Sequence, residues 1–251
     1  MENTRPAFLD AARQALEIFY PDCDSGFAAG SVLRGEETDK SDIDIVVLYG
    51  PEFEDIHRHS EIVAGWPVEF FVQNPAAQDY FMEKDRRRGH CVIMDMVANG
   101  IAIPEDTPLS RQRRQKAQEM IAAGPPVLTE EEMEDRRYFI TDTLDDLDAE
   151  KPLLDMFGTL ANLYNMLGDF YLRAQGRWSG HGKALGRILR KNDAEFAAEY
   201  EAAFAAGFSG NFSPVTALAE TVLAPYGGRC FAGLKRSAPE EWRSFKGTPQ
   251  E

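Results

Sequence analysis

Asp42-Ile43-Asp44 opens an apolar run, Ile45-Val46-Val47-Leu48. The alternation of a β-strand puts residues i and i+2 on one side, so the two carboxylates stand next to each other. Carboxylates held together repel unless a cation lies between them. Mg²⁺ suits that place, because it takes oxygen ligands and usually shares its shell among one or two carboxylates, phosphates and water. Upstream, Gly30-Ser31 offers backbone N–H groups, a hydroxyl and room for close approach, which are the surroundings a triphosphate needs. The chemistry is that of a metal-dependent nucleotide site. Asp42 and Asp44 hold the metal, and Gly30 and Ser31 hold the phosphates.

Ten residues separate Ser31 from Asp42. A Gly-Ser turn, a gap of that length and Asp-x-Asp at the head of a strand resemble the signature of the DNA polymerase beta-like nucleotidyltransferase superfamily. The resemblance is close over about the first 75 residues and looser beyond, where the chain is similar to the helical carboxy-terminal domains of small bacterial members, including aminoglycoside nucleotidyltransferases. It implies a third carboxylate on a neighbouring strand. Glu69, in Pro67-Val68-Glu69-Phe70-Phe71-Val72, is the candidate, either as a third metal ligand, which we favour, or as the general base that takes the acceptor's proton. Its apolar neighbours imply a sheltered strand, where a purely structural glutamate would need a partner. The resemblance also places Arg34 where such enzymes bind phosphate, although Glu36 and Glu37 beside it fit a surface charge equally well. From the second half of the chain it suggests Lys183, which would reach a triphosphate across a cleft.

The elements that must position these residues follow from pattern. Residues 6–20 carry an apolar stripe at helical spacing, Phe8, Leu9, Ala12, Leu16 and Phe19. Phe27-Ala28-Ala29 reads as a short strand into the Gly-Ser turn. Residues 43–49 are apolar on both sides and so form a central strand, and 67–73 form a third. Residues 52–64 read as a helix, 75–98 as one long helix, and Ile101-Ala102-Ile103 as an edge strand. After residue 104 no strand pattern appears. Helices are expected over 108–123, from Thr129 (an N-cap with Glu132 as its capping-box partner) to about Leu147, and over 153–175, 181–191, 193–206 and 213–224. The expected architecture is an α/β (α+β) domain with a short mixed sheet over residues 1–105, followed by an all-α helical domain over 106–251. The polar tail beyond Ser237 is expected to be loosely ordered.

Bulk properties narrow the function. The 251-residue chain has 42 acidic and 27 Lys or Arg side chains, a formal charge of −15. Nucleic-acid binders draw most of their affinity from basic side chains, so this balance weighs against a DNA or RNA substrate and suits a cationic small molecule better. No apolar run approaches the length of a membrane span. The amino terminus lacks the basic-then-apolar order of a signal peptide, and Cys23, Cys91 and Cys230 are few and scattered. These features point to a cytoplasmic protein with reduced thiols.

Several features are weaker. Gly182-Lys183 is not a P-loop, because Arg177 stands where the first glycine belongs and Ala184 where Ser or Thr belongs. Asn162, Asn165 and Asp169 share a helix face opposite Leu160, Leu163 and Leu167, and the face either meets water or contacts an acceptor. Asp135, Asp142, Asp145, Asp146 and Asp148 make the preceding helix acidic, which suits either an aminoglycoside-like polyamine or a plain solvated face. His57-Arg58-His59 reads as surface, and Arg86-Arg87-Arg88 as ion-pairing residues. The reading is an Mg²⁺-dependent nucleotidyltransferase that moves AMP from ATP, or another nucleoside monophosphate, to a hydroxyl of a small acceptor of aminoglycoside-like type. The alternatives are an antitoxin-type adenylyltransferase acting on a partner protein and a non-catalytic nucleotide binder.

Overall fold

A computed structural model describes residues 5–238. The expectation for the tail beyond Ser237 falls, apart from Ala238, outside the described residues. The apolar run that begins at Ile43 forms β2 (Ile43–Leu48), in which every residue but Asp44 is buried. It pairs antiparallel with β1 (Ser25–Ala29) on one side and parallel with β4 (Trp66–Gln73) on the other. β3 (His57–Val63) lies outside β4, and β5 (Ile101–Ile103) lies outside β1, giving the mixed order β3-β4-β2-β1-β5.

Both faces of this sheet are covered by helices. α1 (Phe8–Phe19) lays Ala11, Ala12, Ala15 and Leu16 against Ile43, Ile45, Val47, Val68, Phe70 and Val72. Its alanines let the helix come close, and Gly26 extends the same economy, since a Cβ there would stand 2.6 Å from Leu16 Cδ1. On the opposite face α2 (Pro75–Arg87), α3 (Val92–Asn99) and α4 (Pro108–Ala123) bring Met82, Ile93, Met94, Val97 and Ala117 onto Phe27, Val46 and Leu48. The strands alternate between two apolar cores, so register is strongly specified.

Two expected elements are different in the structure. Residues 52–64 are not helical. From His57 they form β3, joined to β4 by a two-residue turn in which Ala64 (φ 49°) and Gly65 (φ 83°) both have positive φ. Such a turn matches the twist of a hairpin. β3 is an edge strand exposed along most of its length, so it lacks the alternation of apolar residues that marks a half-buried strand. Residues 75–98 are two helices. Gly89 takes φ 74°, and the Asp85 carboxylate accepts a hydrogen bond from Ile93 N at 3.0 Å, so that the second helix starts anew. α2 and α4 are tied by Arg113. This buried guanidinium donates to Gln78 Oε1 at 2.6 Å and pairs with Asp79.

The chain divides into two compact units, one of Met1–Val127 with Leu172–His181, the other of Leu128–Tyr171 with Gly182–Glu251. α4, which follows the change in texture at residue 105, packs on α3 within the first unit. The remaining helices are α5 (Glu130–Asp145), α6 (Leu153–Arg173), α7 (Lys183–Asn192), α8 (Ala194–Phe208) and α9 (Ser213–Leu223). The capping box of Thr129 and Glu132 is formed at the start of α5. Leu160, Leu163 and Leu167 are fully buried, and Gly168 admits Leu185 and Tyr200 to within 3.0 Å of where its Cβ would be. Among the described residues no strand follows Ile103, and no helix is long and apolar enough to cross a membrane.

Candidate active site

The Gly-Ser turn sits where β1 leaves the sheet. Ala29, the last residue of β1, pairs with Asp44. Gly30 has φ 133°, a conformation L side chains rarely adopt, and a Cβ on it would lie 3.2 Å from the Asp42 carbonyl oxygen and 3.9 Å from Asp44 Oδ2. Glycine therefore lets the turn lie directly against the aspartates. Ser31 Oγ donates to Ser41 Oγ at 2.8 Å, and Ser41 Oγ also accepts from Thr38 N at 2.9 Å. Ser41 is buried, so the loop of residues 32–40 is closed at its base beside Asp42.

Asp42 and Asp44 are half-buried, while Ile43 and Ile45 between and after them are fully buried on the other face. Asp44 stands in register with Glu69 across the parallel pair β2–β4. In-register neighbours project to the same face with strands about 4.8 Å apart. The three carboxylates thus occupy the face that α2, α3 and α4 cover farther along, at its uncovered end. Glu69 has the partner that a structural role would require. Arg58, one strand out on β3, donates to its Oε2 at 2.7 Å and lies 4.6 Å over the Phe71 ring. Sequence reasoning missed Arg58 because it placed residues 52–64 in a helix. It also missed the Ser31–Ser41 tie, whose only sequence signal is a serine immediately before Asp42.

The donor chemistry at this end of the sheet is hard carboxylate oxygen. Among the described residues no three His, Cys, Asp or Glu side chains converge as a ready-made metal cage. Carboxylate oxygens of this kind would suit a divalent metal arriving with a nucleotide, with Asp42 and Asp44 as the residues that would hold it.

The other sequence candidates lie as follows. Arg34 Nε pairs with Glu36 Oε2 at 3.0 Å on the exposed loop. Lys183 is the first residue of α7 in the second unit, preceded by Gly182 with φ 54°. Asn165 Oδ1 accepts from Gly182 N at 2.9 Å. Asn162 and Asp169 face a cavity of about 510 Å³ together with Asp142, Asp146 and Arg136, all within the second unit. Arg136 pairs with Asp169 there. Arg86 and Arg87 pair with Glu83, and chiefly Arg86 holds that carboxyl down to about 2.

The model of the nucleotidyltransferase domain family matches residues 15–116. The chain is also similar to the 1.90 Å crystal structure of a nucleotidyltransferase-like protein from Exiguobacterium sibiricum 255-15. That match has a TM-score of 0.44 and 12% identity, covering 88% of this chain and 77% of the other. No curated protein matches this chain. The matched segment contains Gly30, Ser31, Asp42, Asp44 and Glu69.

Proposed function

We propose that this chain, whose residues 15–116 match the nucleotidyltransferase domain family, is a nucleotidyltransferase that moves AMP from ATP onto a hydroxyl of a small acceptor, releasing pyrophosphate. The observation that carries this reading is the register of Asp44 with Glu69 beside the Gly30 turn. The acceptor oxygen attacks the α-phosphorus in line, a new P–O bond forms, and the bond to the β-phosphate oxygen breaks with pyrophosphate as the leaving group. The hydroxyl proton passes to a base. Bound Mg²⁺ would neutralise phosphate charge and orient the triphosphate. The protein supplies positioning and preorganised charge.

Asp42 and Asp44 would hold the metal. Glu69 would be the third oxygen donor on this face, with Arg58 bonded to it. Gly30 admits the phosphates to the backbone, and Ser31 contacts a phosphate oxygen. A hydroxylated acceptor that also bears amines, the class to which aminoglycosides belong, is supported by the net charge of −15 and by the three aspartates lining the cavity of the second unit.

The test is pyrophosphate release from ATP, GTP, CTP and UTP with Mg²⁺, across aminoglycosides, lincosamides and protein acceptors, with Asp44→Asn in parallel. Release that depends on ATP and an amine-bearing small acceptor, and that Asp44→Asn abolishes, is the expected result. Release confined to protein acceptors would overturn the acceptor class. Release unchanged in Asp44→Asn would overturn the site.

A further inference from the structure

On the α1 face of the sheet, away from the carboxylates, Tyr20 is buried at the end of α1 and its Oη meets two imidazoles of β3. His57 Nε2 lies at 3.1 Å and His59 Nδ1 at 2.9 Å. The two rings share a face because they are two residues apart on a strand. Their outer nitrogens are also engaged. His57 Nδ1 is 2.8 Å from the Asp55 carbonyl oxygen, and His59 Nε2 is 3.1 Å from Glu61 Oε1.

A carbonyl and an ionised carboxylate only accept, so both outer nitrogens carry hydrogen. The inner nitrogens of neutral rings are then bare lone pairs. They face a single phenol, which has one proton to donate, so Tyr20 can serve only one of the two nitrogens. Orienting the outer N–H on carbonyl or carboxylate acceptors is the arrangement that prepares histidines to ligate a metal through the other nitrogen.

We propose that Tyr20, His57 and His59 form a binding site for one zinc-class divalent ion, which fastens the end of α1 to β3. Ligand atoms about 2.0–2.1 Å from a tetrahedral metal lie about 3.3 Å from one another. The present separations of 3.1 and 2.9 Å differ from that by only a few tenths of an ångström. His59 is held in place by Phe70, stacked at 5.4 Å, and by Phe19, edge-on at 5.1 Å. The imidazoles are about one-third exposed, at 34% and 29% of their side chains, which leaves a way in and room for a water as fourth ligand. The two imidazoles suit zinc-class ions, with the Tyr20 hydroxyl as a weaker oxygen donor whose pKa burial pushes up to about 12, whereas the hard carboxylates at Asp42 and Asp44 suit Mg²⁺.

The experiment is calorimetric titration of the full chain with ZnCl₂ and with MgCl₂, in an Asp42→Asn/Asp44→Asn background that removes the carboxylate pair. The expected result is one zinc ion per chain, no heat from magnesium at this site, and binding about tenfold weaker or lost in His59→Ala and in Tyr20→Phe. Imidazole NMR gives a second readout that does not depend on a variant. Zinc is expected to move the His57 and His59 signals and leave those of His90 and His181, the other two of four histidines, in place. Zinc binding retained in His57→Ala/His59→Ala, no zinc binding at all, or shifts confined to His90 and His181 would each overturn the site.

Discussion

The two faces of β2 carry nearly the same covering and end differently. On the α1 face Ile43, Ile45 and Val47 are fully buried from the first residue of the strand to its end. On the other face Val46 and Leu48 are just as buried, but Asp44 ahead of them is not. The first face contributes stability along its whole length. The second gives up its first position to charge, and the Gly30 turn leans onto that position. Packing and chemistry are therefore separable within one strand, two residues apart.

The sharpest way to break that separation is at Asp44. Asp44→Asn is expected to lower nucleotidyl transfer by roughly 10²–10³-fold while changing unfolding free energy by no more than about 0.5 kcal/mol. Steady-state kinetics and urea melts on the same preparation check both halves. Its neighbour on the other face should show the reverse. Ile45→Ala is expected to cost about 3 kcal/mol in a urea melt, with kcat preserved in the folded fraction.

A third change tests the helical cover of the open face. Asp79→Asn leaves the buried Arg113 guanidinium without its carboxylate. It is expected to cost about 2 kcal/mol, less than a fully buried pair because Asp79 is 41% exposed. Burial raises the Asp79 carboxyl, but Arg113 and Lys116 outweigh burial and leave it below the usual value. The pair's contribution is therefore complete above the ordinary aspartate range near pH 4. It is lost as pH falls through the depressed value. Acid titration of stability should accordingly show a step in the parent that Asp79→Asn lacks. The smallest effect is expected at the turn. Ser31→Ala removes one phosphate contact and should raise the nucleotide KM about tenfold, with kcat little changed.

How much of this was readable beforehand depended on where each residue is buried. Ile43–Leu48 announced itself because a strand covered on both faces must be continuously apolar, and the Gly30 turn because its backbone conformation demands glycine. The helices of the second unit were legible from stripes such as Leu160, Leu163 and Leu167 and from the Thr129 cap. His57–Val63 was not, because an exposed edge strand has no apolar rhythm, and with it went Arg58, the partner of Glu69. The break at Gly89 was hidden because apolar residues resume at Val92 in a phase that suits a continuous helix. Asp42 and Asp44 were visible as a motif. Their relation to Glu69 came only with the register.

That register has a kinetic meaning. β3–β4 is a local pairing, joining Val63 to Trp66 at its closest, and β1–β2 begins with Ala29 against Asp44 across the Gly30 loop. Every β2–β4 pair, from Ile43–Val68 to Leu48–Gln73, instead joins residues 25 positions apart. Two hairpin-like halves therefore meet along a parallel seam that closes the longer loop, and Asp44 and Glu69 lie on opposite sides of it. A chain with both halves formed and the seam open would have most of its strands but would hold Asp44 and Glu69, the proposed site, apart. During refolding, recovery of transferase activity should follow closure of the seam and lag behind the return of strand signal in circular dichroism. Simultaneous recovery would show that the halves do not form first.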